Sequence, residues 1–155
     1  MTSVMSVAAR GLVLGLALAG LAACEDQSYR DIGGEIGILT KRTDGLVAPA
    51  TERLREYGQK ALPQIETALH TASESGRRNL IGALEAIGDI EAVPILRHLA
   101  VYDLDARLQA SAETVLQLWA GGSGPRAQAA KVALDRVATL RASGEGPTPM
   151  RPTAL

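Results

Sequence analysis

The sequence predicts an all-α protein, a short solenoid of helical hairpins. Three observations carry that expectation. No segment shows the alternating β-branched pattern of a half-buried strand. The 155 residues hold no Phe, one Trp and three Tyr, so a core has to be assembled from Leu, Ile, Val and Ala, which suit closely approaching helices. Finally, the apolar pattern repeats: Ala61, Pro63, Ile65 and Ala68 are followed 31 residues later by Ala92, Pro94, Leu96 and Leu99.

Residues 1–23 read as an export signal. Arg10 precedes an unbroken apolar run from Gly11 to Ala23, the layout of a secretory segment. The run falls short of the ~20 apolar residues that a membrane-spanning helix needs, and Glu25 and Asp26 follow almost at once. It ends in Leu21, Ala22, Ala23 and Cys24, and Cys24 is the only cysteine of the chain. A branched apolar residue, two small residues and a cysteine resemble the lipobox of bacterial lipoproteins. The resemblance implies that the Cys24 sulfur is alkylated with diacylglycerol, that cleavage falls before Cys24, and that the new amino terminus is open to acylation. The chemistry is consistent with the residue types. A thiolate is the strongest side-chain nucleophile near neutral pH, and two acyl chains hold a protein to a bilayer far more firmly than one. An alkylated sulfur also cannot form stray disulfides in an oxidising compartment. Two other readings are an ordinary buried cysteine ending a retained helix, and an uncleaved signal anchor. Neither explains why small residues and the thiol meet where the apolar run reaches its first acids.

Residues 24–44 read as the lipidated cysteine and a flexible tether, polar and rich in Gly33, Gly34 and Gly37, with at most one helical turn. From 45 to 141 apolar residues recur at helical spacing, which marks the folded domain. Residues 142–155, with three prolines and two glycines, are expected to be a disordered tail.

Within the domain each unit reads as a hairpin. The 31-residue offset also carries Ile81, Leu84 and Ile87 onto Ala112, Val115 and Leu118, and a further step of 31 carries Pro94 onto Pro125. Gly88 can end one helix in the left-handed conformation, Asp89 can cap the next, and Pro94 falls early enough in that helix to be tolerated. Asp103 and Asp105 offer the following cap, ahead of a face made of Leu108, Ala112, Val115 and Trp119. Pro125 opens the last helix, whose stripe is Ala130, Leu134, Val137 and Leu140.

The stretch Leu84–Leu118 resembles the HEAT-like repeats of the phycobiliprotein-lyase type. The matching residues are Ile87, Gly88, Asp89, Ala92, Val93, Pro94, Leu96, Asp105, Arg107 and Ala110; Asp105 and Arg107 stand one residue closer than in that pattern. The resemblance implies a right-handed α-solenoid whose second helices line a concave face used for binding proteins. A solenoid needs about three units to bury its own surface. The helices near 46–57 and 126–140 are therefore expected to act as caps.

Composition and motifs narrow the function. The formal net charge is −1, and the mature part, which loses Arg10 alone, is one unit more negative; this excludes a nucleic-acid footprint. His70 and His98 stand at non-equivalent repeat positions and are expected on helix surfaces, without metal ligation. No catalytic triad spacing and no phosphate loop is present, so neither catalysis nor a cofactor is expected. Arg77, Arg78, Arg107, Gln109 and Glu113, with Glu85 and Gln117, are the candidate partner-binding residues of the second helices. Tyr57, Tyr102 and Trp119 are possible anchors of an interface. The expected protein is thus a membrane-anchored interaction module held by lipid on Cys24, facing the periplasm and docking another envelope protein. Glu25 is not the Asp that marks inner-membrane retention in some bacteria, which favours the outer membrane. The alternatives are a lyase-like, ligand-positioning repeat protein and a structural envelope lipoprotein without a fixed partner.

Overall fold

Residues 27–41 and 45–146 are described by the structure, a computed structural model. They form α1 (27–41), α2 (Val47–Tyr57), a 3-10 turn (Gly58–Ala61), α3 (Leu62–Leu69), α4 (Glu74–Ile87), α5 (Ala92–Tyr102), α6 (Ala106–Ala120) and α7 (Pro125–Ala142). Among the described residues there is no strand. Leu21, Ala22, Ala23 and Cys24 lie outside the described residues, as does the end of the expected tail from 147 onward.

Local chemistry sets the helix boundaries. The Ser73 hydroxyl accepts the Gly76 N–H at 3.2 Å and starts α4. The Asp105 carboxylate accepts the Arg107 N–H at 2.8 Å and starts α6. Each satisfies an amide that would otherwise lack a partner in the first turn. Gly88, at φ +65°, ends α4 and returns its N–H to the Leu84 carbonyl at 3.1 Å. Asp89 then accepts the Glu91 N–H at 2.8 Å, turning the chain into α5. Pro125 opens α7, where its missing N–H costs nothing.

The helices stack as a short α-solenoid. α3 pairs with α4 and α5 with α6, while α7 lies against both α5 and α6. α4 contacts α6, and α2 covers the other side of α4. The repeat is visible in the burial pattern: Ala61 and Ala92 are both fully buried, and so are Ile65 and Leu96. In α7, Ala127 stands one repeat beyond Leu96 and Ala130 one repeat beyond the buried Leu99, and both are buried as well. One pair departs from the register. Ile87 is half-buried against the core, whereas Leu118 is 61% exposed, because Leu116 and Trp119 are the side chains that α6 turns inward at that end.

The segment expected as a tether is largely helix. Ile32, Ile36 and Leu39 of α1 are buried in the common core. Their spacing is one helical stripe, and it outweighs the low helix propensity of the intervening glycines. Polar bonds fix the helix in place. Asn79 donates to the Leu39 carbonyl at 2.9 Å, Gln64 donates to the Tyr29 carbonyl at 3.1 Å, and Arg53 grips Glu35 through two bonds of 2.5 and 2.8 Å. Backbone packs closely at Gly76, where an added Cβ would stand 3.1 Å from Thr40 Cα.

Candidate functional site

A cleft of about 330 Å³ opens between the two first helices of the stack, lined by Glu66 and Leu69 of α3, by His70 at its C-terminal end, and by Ile95, His98, Leu99 and Tyr102 of α5. Arg77, Asp103 and Leu104 complete its lining. Helix periodicity builds both walls. His70 directly follows α3 with helical backbone angles, four residues after Glu66, and His98 and Tyr102 stand four apart on α5, so each pair shares a face. The two rings of the α5 wall lie 5.0 Å apart at an interplanar angle of 42°. Leu69 and Leu99 are buried and supply an apolar floor.

The Arg77–Asp103 pair supplies the charged part of the lining. Arg77 Nε lies 3.1 Å from Asp103 Oδ2, off the hydrogen-bond axis, and Arg77 Nη2 donates to Asp103 Oδ1 at 3.4 Å. Arg77 Nη1 donates to the Ala72 carbonyl at 3.1 Å. Asp103 also accepts the Asp105 N–H at 2.8 Å, and its side chain is only 5% exposed. At the mouth, Tyr102 is 40% and Leu104 85% exposed.

The residues expected to form a partner face on the second helices are spread among different tasks. Arg77 is half-buried and lines the cleft. Gln109 donates to the Asp103 carbonyl at 2.7 Å, holding the turn between α5 and α6. Glu113 accepts from Arg141 at 2.6 Å and so ties α6 to α7. Arg78 is exposed and pairs with Glu74 one turn earlier, and Arg107 is exposed. The structure therefore brings only Arg77 of these five to the cleft. The aromatic anchors separate too: Tyr102 is at the cleft mouth, while Trp119 is 5% exposed beneath Arg126, whose guanidinium carbon is 5.1 Å from its ring centroid.

Sequence reasoning placed both histidines on helix surfaces and missed that they share one cleft. Their separation was the available signal: it is one 31-residue repeat less about one helical turn. Position 70 corresponds to Val101, so His98 stands about one turn before that equivalent position, towards the start of its helix.

A second, shallower groove runs between α5 and α7, lined by Val93, Arg97, Pro125, Gln128, Ala129, Val132 and Ala133. Its polar groups are fewer and do not converge. Among the described residues no group of three or more His, Cys, Asp or Glu side chains could hold a metal ion, and no helix is long and apolar enough to cross a membrane. The shifted titrations lie away from the cleft. Hydrogen bonding from Arg55 holds the Glu52 carboxyl below its ordinary range, and hydrogen bonding to Glu35 raises Arg53.

No family model, no curated protein and no solved structure matches the chain.

Proposed function

We propose that the chain is a lipid-anchored interaction module of the bacterial cell envelope, held to a membrane through Cys24 and facing the periplasm. Its HEAT-like stack docks a second envelope protein. The anchoring half rests on Leu21, Ala22, Ala23 and Cys24 closing an apolar run too short to span a bilayer. The docking half rests on one observation, the cleft between α3 and α5 with the 85% exposed Leu104 at its mouth. Leu104 stands beside the 40% exposed Tyr102 over the apolar floor of Leu69 and Leu99, and apolar side chains gathered at one cleft support a contact surface better than one exposed leucine alone. Converging Glu66, His70, His98 and Tyr102 favour a second reading, in which the cleft positions a small ligand: about 330 Å³ is within the range of small-molecule pockets.

Two measurements test the proposal. Mass spectrometry of the mature protein should find the chain beginning at Cys24 with diacylglycerol attached, and Cys24→Ser should remove the lipid; an unprocessed amino terminus refutes the anchor. A photocrosslinker in place of Leu104, activated in intact cells, should capture one envelope protein reproducibly. The same probe in place of Gln128, in the shallower groove, should not. Equal capture from both positions refutes the cleft as the docking surface.

A further inference from the structure

The charges in the cleft are unbalanced. Among the described residues that line it, Arg77 is the only lysine or arginine, and all three of its guanidinium nitrogens face oxygens of the protein: two are against Asp103 and one is on the Ala72 carbonyl. The two charges of that pair cancel. Glu66 is exposed and has no ion pair or side-chain hydrogen bond to any described residue, so at a pH where His70 and His98 are neutral the lining keeps one uncompensated carboxylate. Beside it are the aliphatic side chains of Leu69, Ile95 and Leu99 and the tilted rings of His98 and Tyr102.

We infer that the cleft recognises a basic side chain, lysine or arginine, presented by the docked protein. The inference rests on the docking reading above. A long basic residue has two parts that need different surroundings: a methylene stem that prefers apolar contact and a cationic head that needs an acceptor. The cleft provides both. Leu69, Ile95 and Leu99 flank the stem, Glu66 neutralises the head, and the Tyr102 face attracts a cation through its π electrons. An acidic side chain would meet Glu66 with no free cation to offset it, and a purely apolar one would strip water from that carboxylate without replacing its hydrogen bonds.

The test uses the full chain in detergent and blocked five-residue peptides with lysine, arginine, norleucine, acetyl-lysine or glutamate at the centre. Nuclear magnetic resonance follows the resonances of Glu66, His70, His98 and Tyr102. The lysine and arginine peptides should shift these in a saturable way, and the norleucine, acetyl-lysine and glutamate peptides should bind about two- to fivefold more weakly, the upper part of the range of one exposed ion pair. Glu66→Gln should weaken lysine-peptide binding by a similar factor, and Glu66→Lys should abolish it. Unchanged thermal melting shows that both variants fold. Equal shifts with norleucine or acetyl-lysine, shifts that map elsewhere, or a preference for glutamate overturn the inference. The two readings fail separately. Capture of a protein at Leu104 without lysine-peptide binding overturns only the basic side chain, and peptide binding without capture overturns only the docking.

Discussion

Arg77 and Asp103 join the first turn of α4 to the turn between α5 and α6, with Arg77 Nε 3.1 Å from an Asp103 carboxylate whose side chain is 5% exposed. The pair therefore ties one hairpin to the next at the end of the cleft. Removing one partner leaves the other poorly solvated, which costs more than the pair itself contributes. Arg77→Met should destabilise the fold by about 2–3 kcal/mol, read as a fall in urea midpoint at unchanged slope. Asp103→Asn, which keeps an acceptor for Arg77 and for the Asp105 N–H, should cost less.

The helical state of residues 27–41 gives a second prediction. Leu39 is fully buried, so Leu39→Ala should cost about 3 kcal/mol through lost burial and the cavity left behind. A flexible tether would show no change in thermal melting. The same variant should speed amide exchange along α1 before it affects α5 or α6.

Gly76 provides a more local probe of the same contact. A Cβ at this position would lie 3.1 Å from both Thr40 Cα and the Thr40 carbonyl, and backbone yields less readily than a flexible side chain. Gly76→Ala should therefore destabilise the protein by about 1–3 kcal/mol despite the higher helix propensity of alanine. Gly82→Ala, in the same helix with nothing within 4 Å, should be neutral or stabilising.

Gly88 and Arg126 form a joint that the single tryptophan reports. Arg126 donates to the Gly88 carbonyl at 2.5 Å while its guanidinium lies over Trp119. A Cβ on Gly88 would stand 2.7 Å from Arg126 Nη1 and would require φ +65° of an L side chain. Gly88→Ala should cost about 1–2 kcal/mol from the backbone and change Trp119 fluorescence as Arg126 moves. Arg126→Ala should change the fluorescence with a smaller loss of stability.

The repeat was legible because equivalent residues meet equivalent surroundings. Ile65 and Leu96 are both fully buried, and Gly88 and Asp105 occupy the conformations their chemistry suggests. α1 was hidden by composition. Gly33, Gly34 and Gly37 lower local helix propensity, and only the tertiary burial of Ile32, Ile36 and Leu39 compensates for it. The cleft was hidden for a different reason. Glu66, His70, His98 and Tyr102 each look like an ordinary solvated position in its own helix, and their convergence depends on how two first helices lie side by side. Arg77 and Glu113 were drawn into structural bonds by partners distant in sequence, Asp103 and Arg141, and Gln109 by the carbonyl of Asp103 across the turn before its own helix, none of which helical periodicity reveals.

The position of α1 also governs how far the body can roam from a bilayer. Residue 27, the first of the described residues, already lies in α1, and three residues reach at most about 10 Å, so a lipid on Cys24 would hold the body within that distance of its anchor. The stack would then ride like a moored hull against the headgroups, sampling a thin slab of periplasm, and any protein it meets would have to come to the membrane surface to be met.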